Sequence, residues 1–195
     1  SGSAPFAKVL RISATGISQL GQTIVSNSNS WETVGVNENG TKIYIQAANE
    51  VLFYVLINNE WVLETTIPGD FVSYSKISDD WSTFLTFHPN SGLNIYTQNG
   101  NDWVLSSGFS PGISIGDGKN VDINYDGTII SVSRSYVDSG LGSYQGIAKV
   151  FKYENGNWAQ MGSDILGIGE YDFFGKANSL SNDGLTIAIG GSYGD

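Results

Sequence analysis

The chain is expected to be all-β, on two observations. Short runs rich in Val, Ile, Thr and Tyr recur between clusters of Asn, Asp and Gly, the punctuation of strands and tight turns. No apolar pattern at helical spacing is sustained for three turns. The composition of the 195 residues points the same way: 40% hydrophobic, 14% charged, 25 Gly, ten Tyr, nine Phe and five Trp. Disordered chains are poor in aromatics and rich in charge, so this one packs a core.

A repeat organises the strands. Ala7–Ile24, "AKVLRISATGISQLGQTI", aligns without gaps on Ala148–Ile165, "AKVFKYENGNWAQMGSDI", 141 residues further on. Two further copies lie between, "VLFYVLINNEWVLETTI" and "LNIYTQNGNDWVLSSGF". Ile17, Trp61, Trp103 and Trp158 mark the same position in each. Each copy is a strand, a polar turn (Asn58-Asn59, Asn99-Gly100, Asn155-Gly156) and a second strand. A second set of hairpins precedes the complete copies: "VGVNENGTKIYIQA", "SKISDDWSTFLTF", "NVDINYDGTIISVS" and "NSLSNDGLTIAIGG". Three of these turns carry Asn-Gly or Asp-Gly, residues that tolerate the positive φ a tight turn needs. The fourth has Asp80-Trp81, and a different turn is expected there.

Two hairpins per 42 to 55 residues make a four-stranded antiparallel unit, the blade of a β-propeller. The expected architecture is a single propeller domain over 1–195. Residues 29–68, 69–110 and 111–165 each form a whole blade. Residues 1–28 form the second half, and 166–195 the first half, of a composite blade that closes a four-bladed ring. Reading the end into the beginning supports this join. Ser192 to Asp195 followed by Ser1-Gly2 repeats the Ser-Tyr-x-Asp-Ser-Gly of Ser135 to Gly140. The alternative is a segment of a longer array whose half-blades pair with other copies. The three tryptophans at the repeat position are expected to pack between blades.

Charge and residue usage exclude several functions. A formal charge of −10 repels phosphate backbones and anionic membranes, so nucleic acid is not an expected partner. No apolar run approaches the roughly 20 residues of a membrane-spanning helix, so membrane insertion is not expected. With no cysteine, disulfides, thiolate metal sites and cysteine nucleophiles are excluded. His88, the single histidine, sits in a turn-like "FHPNSG", and no histidine cluster can form. "GDGKN" lacks the pattern of a phosphate-binding loop. Asn39-Gly40-Thr41 is a glycosylation sequon, relevant only on a secretory route.

The stretch "YDFFGKANSLSNDGLTIAIGG" resembles the FG-GAP repeat of integrin-α-type propellers, through Phe174-Gly175, the "LSNDG" turn and the "AIGG" strand. The segment "GIAKVFKYENGNWAQMGSDI" looks like that family's next elements. The first two blades lack the Phe-Gly pair, and the closest likeness is to divergent repeats in microbial and viral surface proteins. The resemblance implies a recognition, adhesion or assembly propeller on a cell or virion surface, outside the cell. It also raises calcium, which family members bind in a D-x-[DN]-x-[DN]-G loop. Asp122, Asn124 and Asp126 have that spacing, but the later carboxylate is missing, with Ile130 and Ser133 at its places. Since calcium needs six to eight oxygens, a structural hairpin is the expectation and no cofactor is required.

In a propeller blade, the loop joining the second and third strands opens on the same face as the loop to the next blade. The longest such loop is Ser135 to Gly146. With "GFSPGISIGDG" and "LGIGEYDFFG" it gathers Tyr136, Asp138, Tyr144, Asp117, Glu170, Tyr171 and Asp172 on one rim, beside Tyr193 and Asp195. Tyrosines beside carboxylates suit a protein or glycan ligand. The competing expectation is that the Ser-Tyr-x-Asp residues only brace the loop. The function expected is therefore non-catalytic binding. The alternatives are a carbohydrate-active enzyme using a carboxylate pair on this face, or a structural segment completed by other chains through its half-blades.

Overall fold

The computed structural model describes residues 5–25, 31–69, 75–88, 92–113, 119–138 and 143–192. The strand pairs whose register is resolved among the described residues are antiparallel. The chain forms two compact units: Ser1–Ser73 with Gln98–Val104, and Tyr74–Thr97 with Leu105–Asp195.

The first unit opens with β1 (Phe6–Ala7), β2 (Leu10–Ser13), β3 (Gly16–Gln19) and β4 (Ile24–Val25). These form two small sheets, β1 with β4 and β2 with β3. A four-stranded meander follows: β5 (Trp31–Val36), β6 (Lys42–Ala47), β7 (Glu50–Ile57) and β8 (Glu60–Pro68). The next meander comprises β9 (Ser75–Ile77), β10 (Thr83–His88), β11 (Gly92–Asn99) and β12 (Asp102–Phe109). The third has β13 (Lys119–Ile123), β14 (Ile129–Arg134), β15 (Ile147–Glu154) and β16 (Asn157–Gln160), with β17 (Ile165–Leu166) also paired to β15. The hairpin of β18 (Ala177–Leu180) and β19 (Ile187–Gly190) ends the second unit. The three meanders, called blades below, fall within 29–68, 69–110 and 111–165, and the terminal hairpins are separate two-stranded sheets.

The 141-residue repeat holds pair by pair. Leu10↔Gln19, Arg11↔Ser18, Ile12↔Ile17 and Ser13↔Gly16 match Phe151↔Gln160, Lys152↔Ala159, Tyr153↔Trp158 and Glu154↔Asn157. Phe6↔Val25 and Ala7↔Ile24 match Ile147↔Leu166 and Ala148↔Ile165. Even the link after the third strand recurs, as Leu20 N–H to Val9 O and Met161 N–H to Val150 O, both 2.8 Å. The N-terminal strands are thus built like the outer half of the third blade.

Four hairpin turns share one construction. The Asx residue at the third turn position accepts from the residue two further on or from the turn's first side chain. Asn39 takes the Thr41 N–H (3.2 Å), Asp80 the Ser82 N–H (3.0 Å) and hydroxyl (2.7 Å), and Asp126 the Thr128 N–H (3.1 Å) and hydroxyl (2.6 Å). Asp183 takes the Leu185 N–H (3.0 Å) and the Ser181 hydroxyl (2.6 Å). Each turn's first side chain (Asn37, Ser78, Asn124, Ser181) accepts a backbone N–H from the returning strand. The expectation of a different turn at Asp80-Trp81 is corrected. Trp81 takes φ 63°, beside 69° at Gly40, 73° at Gly127 and 70° at Gly184. The Ser78 and Asp80 side chains impose the same bends, and burial of the Trp81 ring offsets the cost of the left-handed backbone.

These bonds hold the Asp126 carboxyl below its ordinary range, chiefly through the Thr128 hydroxyl, and the Asp183 carboxyl likewise through the Ser181 hydroxyl. A carboxyl whose pKa is depressed on folding contributes stability that is complete above its unfolded value, 3.8 here, and is lost as pH falls through the folded one. Thermal unfolding followed from pH 7 to pH 2 should therefore show the melting temperature dropping below about pH 4. Asp126→Asn should melt lower at pH 7 and lose part of that drop; an unchanged pH profile would refute the assignment.

Buried residues lie where the repeats predict. In the second unit Leu85, Leu93, Ile95, Val121, Ile130 and Phe151 form one core, with Phe109 and Trp158 against it. In the first unit Leu20, Ile24, Ile43, Ile45 and Trp61 form another. Each repeat tryptophan docks on the preceding repeat. Trp61 donates its indole N–H to Leu20 O at 2.8 Å, and Trp103 stacks on Phe53 at 4.9 Å between centroids. Trp158 stacks on Phe109 at 5.8 Å and reaches the Ser107 hydroxyl at 3.2 Å. Within the second unit the first strands of successive repeats are neighbours. Their turns are linked by Asp80 N–H to Tyr125 O (3.1 Å) and Tyr125 N–H to Asn182 O (3.0 Å).

Candidate ligand-binding face

The candidate site lies in the second unit, where the loop after β14 meets the segment leading to β18. Three backbone bonds lay the two segments side by side: Tyr171 N–H to Ser143 O (2.9 Å), Phe173 N–H to Tyr144 O (3.0 Å) and Phe174 N–H to Gln145 O (3.2 Å). Gly146 and Phe174 form a parallel bridge. That approach requires glycine, because a Cβ on Gly146 would lie 2.0 Å from Phe174 O, and its φ is 84°. Gln145, fully buried, donates its amide to Gly167 O and closes the base of the loop. Gly175, beside Phe174, is buried with φ 86°, and a Cβ there would meet Ile147 O at 2.9 Å. The Phe-Gly pair therefore marks where the next repeat docks on the third blade.

Above this base four aromatic rings gather. Tyr144 stacks on Phe173 with centroids 5.7 Å apart and planes 11° from parallel. Tyr136 stands edge-on to both, 5.7 Å from Tyr144 and 5.4 Å from Phe173, and Tyr171 tilts against Tyr144 at 5.8 Å. Tyr136, Tyr144 and Tyr171 remain 44%, 42% and 42% exposed. Tyr144, Tyr171 and Phe173 hold φ of 56°, 61° and 47°. Left-handed backbone costs a non-glycine residue about 1–2 kcal/mol, and such strain concentrates at functional sites. Beside the rings a shallow depression of about 360 Å³ is lined by Leu166, Gly167, Ile168, Asp172, Phe174 and Gly191.

The carboxylates brace this face. Asp138 accepts the Tyr144 N–H at 2.8 Å. Asp172 accepts the N–H groups of Ile168 (2.7 Å) and Gly169 (2.6 Å), closing a turn. Five expected residues thus come together: Tyr136, Tyr144 and Tyr171 as rings, Asp138 and Asp172 as supports. Asp117, Tyr193 and Asp195 lie outside the described residues, as does the side chain of His88. Sequence reasoning missed Phe173, the ring on which the tyrosines stack. Its signal, two consecutive phenylalanines in "YDFFG", was absorbed by the Phe-Gly match. It also missed Ile168, 95% exposed at the edge of the depression.

The three residues with calcium-loop spacing are each engaged by protein groups. Asp122 is buried, pairs with Lys76 Nζ at 3.1 Å and accepts the Leu180 N–H at 2.8 Å. Asn124 accepts the Ile129 N–H and donates to Asp126, whose same oxygen takes both Thr128 donors. To ligate a cation, Asp122 would have to exchange Lys76 and Asp126 its turn bonds. Among the described residues, no cluster of three or more His, Asp or Glu could hold a metal ion. No helix among them is long and apolar enough to cross a membrane.

Four-stranded antiparallel sheets in sequence, each docked on the last by a repeat aromatic, define the chain as β-propeller-like. No protein-family model matches it, and no curated protein does. Solved structures do. A putative 6-phosphogluconolactonase from Bacteroides uniformis superposes with a TM-score of 0.65 at 12% identity, over 94% of this chain and 57% of that one. A second, from Bacteroides fragilis, gives 0.54 at 14% identity, over 85% and 58%. The chain thus spans a little under three fifths of the propellers it matches. At this identity the likeness concerns the fold alone.

Proposed function

We propose that the chain is a non-catalytic recognition module that binds a protein or glycan through the face built on Tyr136, Tyr144, Tyr171 and Phe173. The observation that carries this reading is the half-exposed ring cluster, held by three left-handed aromatic residues. A loop that merely had to close would have no reason to keep that strain, and apolar ring faces beside hydroxyls suit sugar rings and protein side chains alike. The face lies beside the Phe174-Gly175 pair, whose resemblance to the FG-GAP repeat supports this reading. It is consistent with a recognition or adhesion propeller outside the cell, on a cell or virion surface. The reading needs only the third blade and the β18–β19 hairpin, and is independent of the four-bladed ring expected from the sequence.

The test is a glycan array, paired with a screen of surface proteins, probed with the wild-type chain and with Tyr136→Ala/Tyr171→Ala. Binding by the wild type should fall about tenfold or more in the variant, as loss of two contact aromatics worth about 1 kcal/mol each would produce. Added calcium should leave it unchanged. A ligand held equally by both chains would move the site elsewhere. Turnover of a bound glycan would favour the carbohydrate-active alternative.

A further inference from the structure

We propose that Asn39, in the turn between β5 and β6, carries an N-linked glycan. The inference rests on the reading of the chain as a recognition module outside the cell, since only a chain on a secretory route meets the enzyme that attaches one.

Asn39-Gly40-Thr41 is the one Asn-x-Ser/Thr sequence in the chain, and Asn39 and Thr41 are both exposed. The turn uses only half of the Asn39 carboxamide. Its Oδ1 accepts the Thr41 N–H at 3.2 Å and the Thr41 hydroxyl, whereas no hydrogen bond among the described residues uses Nδ2. The nitrogen is the atom that takes the sugar in an N-glycan. A sugar there leaves both turn bonds in place and takes no donor away from a buried acceptor.

The equivalent turns indicate that the nitrogen is surplus to the fold. In each of them a single aspartate oxygen makes the corresponding bonds: Asp80 with Ser82, Asp126 with Thr128, and Asp183 with Leu185 and Ser181. The turn asks for an acceptor, which a carboxylate supplies as well as a carboxamide does. Asparagine at this place adds a free amide, and Thr41 supplies the hydroxyl that the acceptor sequence requires. The position also faces solvent where repeats flank it on both sides. Asp126 is exposed although its turn is tied to both neighbours, by Asp80 N–H to Tyr125 O and Tyr125 N–H to Asn182 O.

The glycan comes from an oligosaccharide carried on a lipid diphosphate. Nδ2 bonds to C1 of the first sugar while the C1–O bond to the diphosphate breaks. The electron pair of that bond leaves on the lipid diphosphate, and one amide proton passes to a base.

To test this, the full chain is expressed behind a cleavable secretion signal in eukaryotic cells, beside Asn39→Asp and Thr41→Ser. Medium and cell lysate are both analysed by mass spectrometry, before and after N-glycosidase treatment. The wild type and Thr41→Ser should exceed the 20.9 kDa of the bare chain by one glycan, and residue 39 should read as aspartate once the enzyme has removed it. Asn39→Asp should keep the bare mass and melt no lower than the deglycosylated wild type, because it reproduces the acceptor of the equivalent turns. An unmodified wild type in both fractions would overturn the proposal. So would a modified wild type retained in the cells while Asn39→Asp is secreted, since the glycan would then obstruct the fold. These readouts need no ligand, so binding at the aromatic face stands or falls separately through Tyr136→Ala/Tyr171→Ala.

Discussion

Trp61→Ala is expected to lower stability by about 3–5 kcal/mol, the usual cost of truncating a buried Trp or Phe to alanine. Trp61 is 3% exposed and shares a buried cluster with Leu20 and Ile24 of the N-terminal segment. Its backbone is clamped by Gln22, whose side chain accepts the Trp61 N–H and donates to Trp61 O, both at 2.8 Å. Its ring fills the space above Gly21, where a Cβ would lie 2.6 Å from the indole. Removing the ring leaves a cavity and orphans the buried Leu20 carbonyl, so two penalties add. Against a total stability of about 5–15 kcal/mol, the N-terminal strands should detach first. Hydrogen exchange would then show the Leu20 amide losing protection ahead of the second unit. A loss below about 1 kcal/mol, or uniform loss of protection across both units, would show that Trp61 does not anchor those strands.

Gly146→Ala should disrupt the aromatic face proposed to bind ligand while sparing the first blade. The added Cβ meets backbone, not the far end of a side chain, at 2.0 Å. The segment carrying Tyr171 to Phe174 must therefore move away from Tyr144. Left-handed φ adds about 1–2 kcal/mol for a non-glycine residue, and overpacking typically adds about 1–3 kcal/mol. The expected outcome is a loss of about 3 kcal/mol, faster exchange at the Phe173 and Phe174 amides and loss of whatever binding Tyr136→Ala/Tyr171→Ala weakens. A variant that melts like the wild type would mean the Gly146–Phe174 approach is not needed to build the face.

Much of this was legible in the sequence because repetition samples one environment several times. The tryptophan positions could be read as packing between repeats, since a ring kept at one place in successive units must meet the same neighbour. Asn58-Asn59 and Asn155-Gly156 could be read as turns because few residues accept positive φ at two consecutive positions, and both pairs do. Trp81 shows where the reading fails. Residue type suggested a different turn, but bonds from Ser78 and Asp80 and burial of the ring outweighed the local preference.

The candidate site was half legible for a related reason. Tyr136, Tyr144 and Tyr171 could be placed on one rim by topology. That Phe173 completes the cluster depends on a backbone approach between segments almost thirty residues apart, which no local pattern records.

From residue type and spacing alone, the chain declares an all-β repeat of four-stranded units, its turn positions, the aromatic that joins one repeat to the next, and the absence of thiols and of any histidine cluster. These follow because side-chain periodicity and positive-φ tolerance are local properties. Only the tertiary structure decided that Asp122 pairs with Lys76 and that Asp138 and Asp172 brace the loops. Each of those depends on which atoms from distant segments come within about 3–4 Å, and spacing along the chain does not encode that distance.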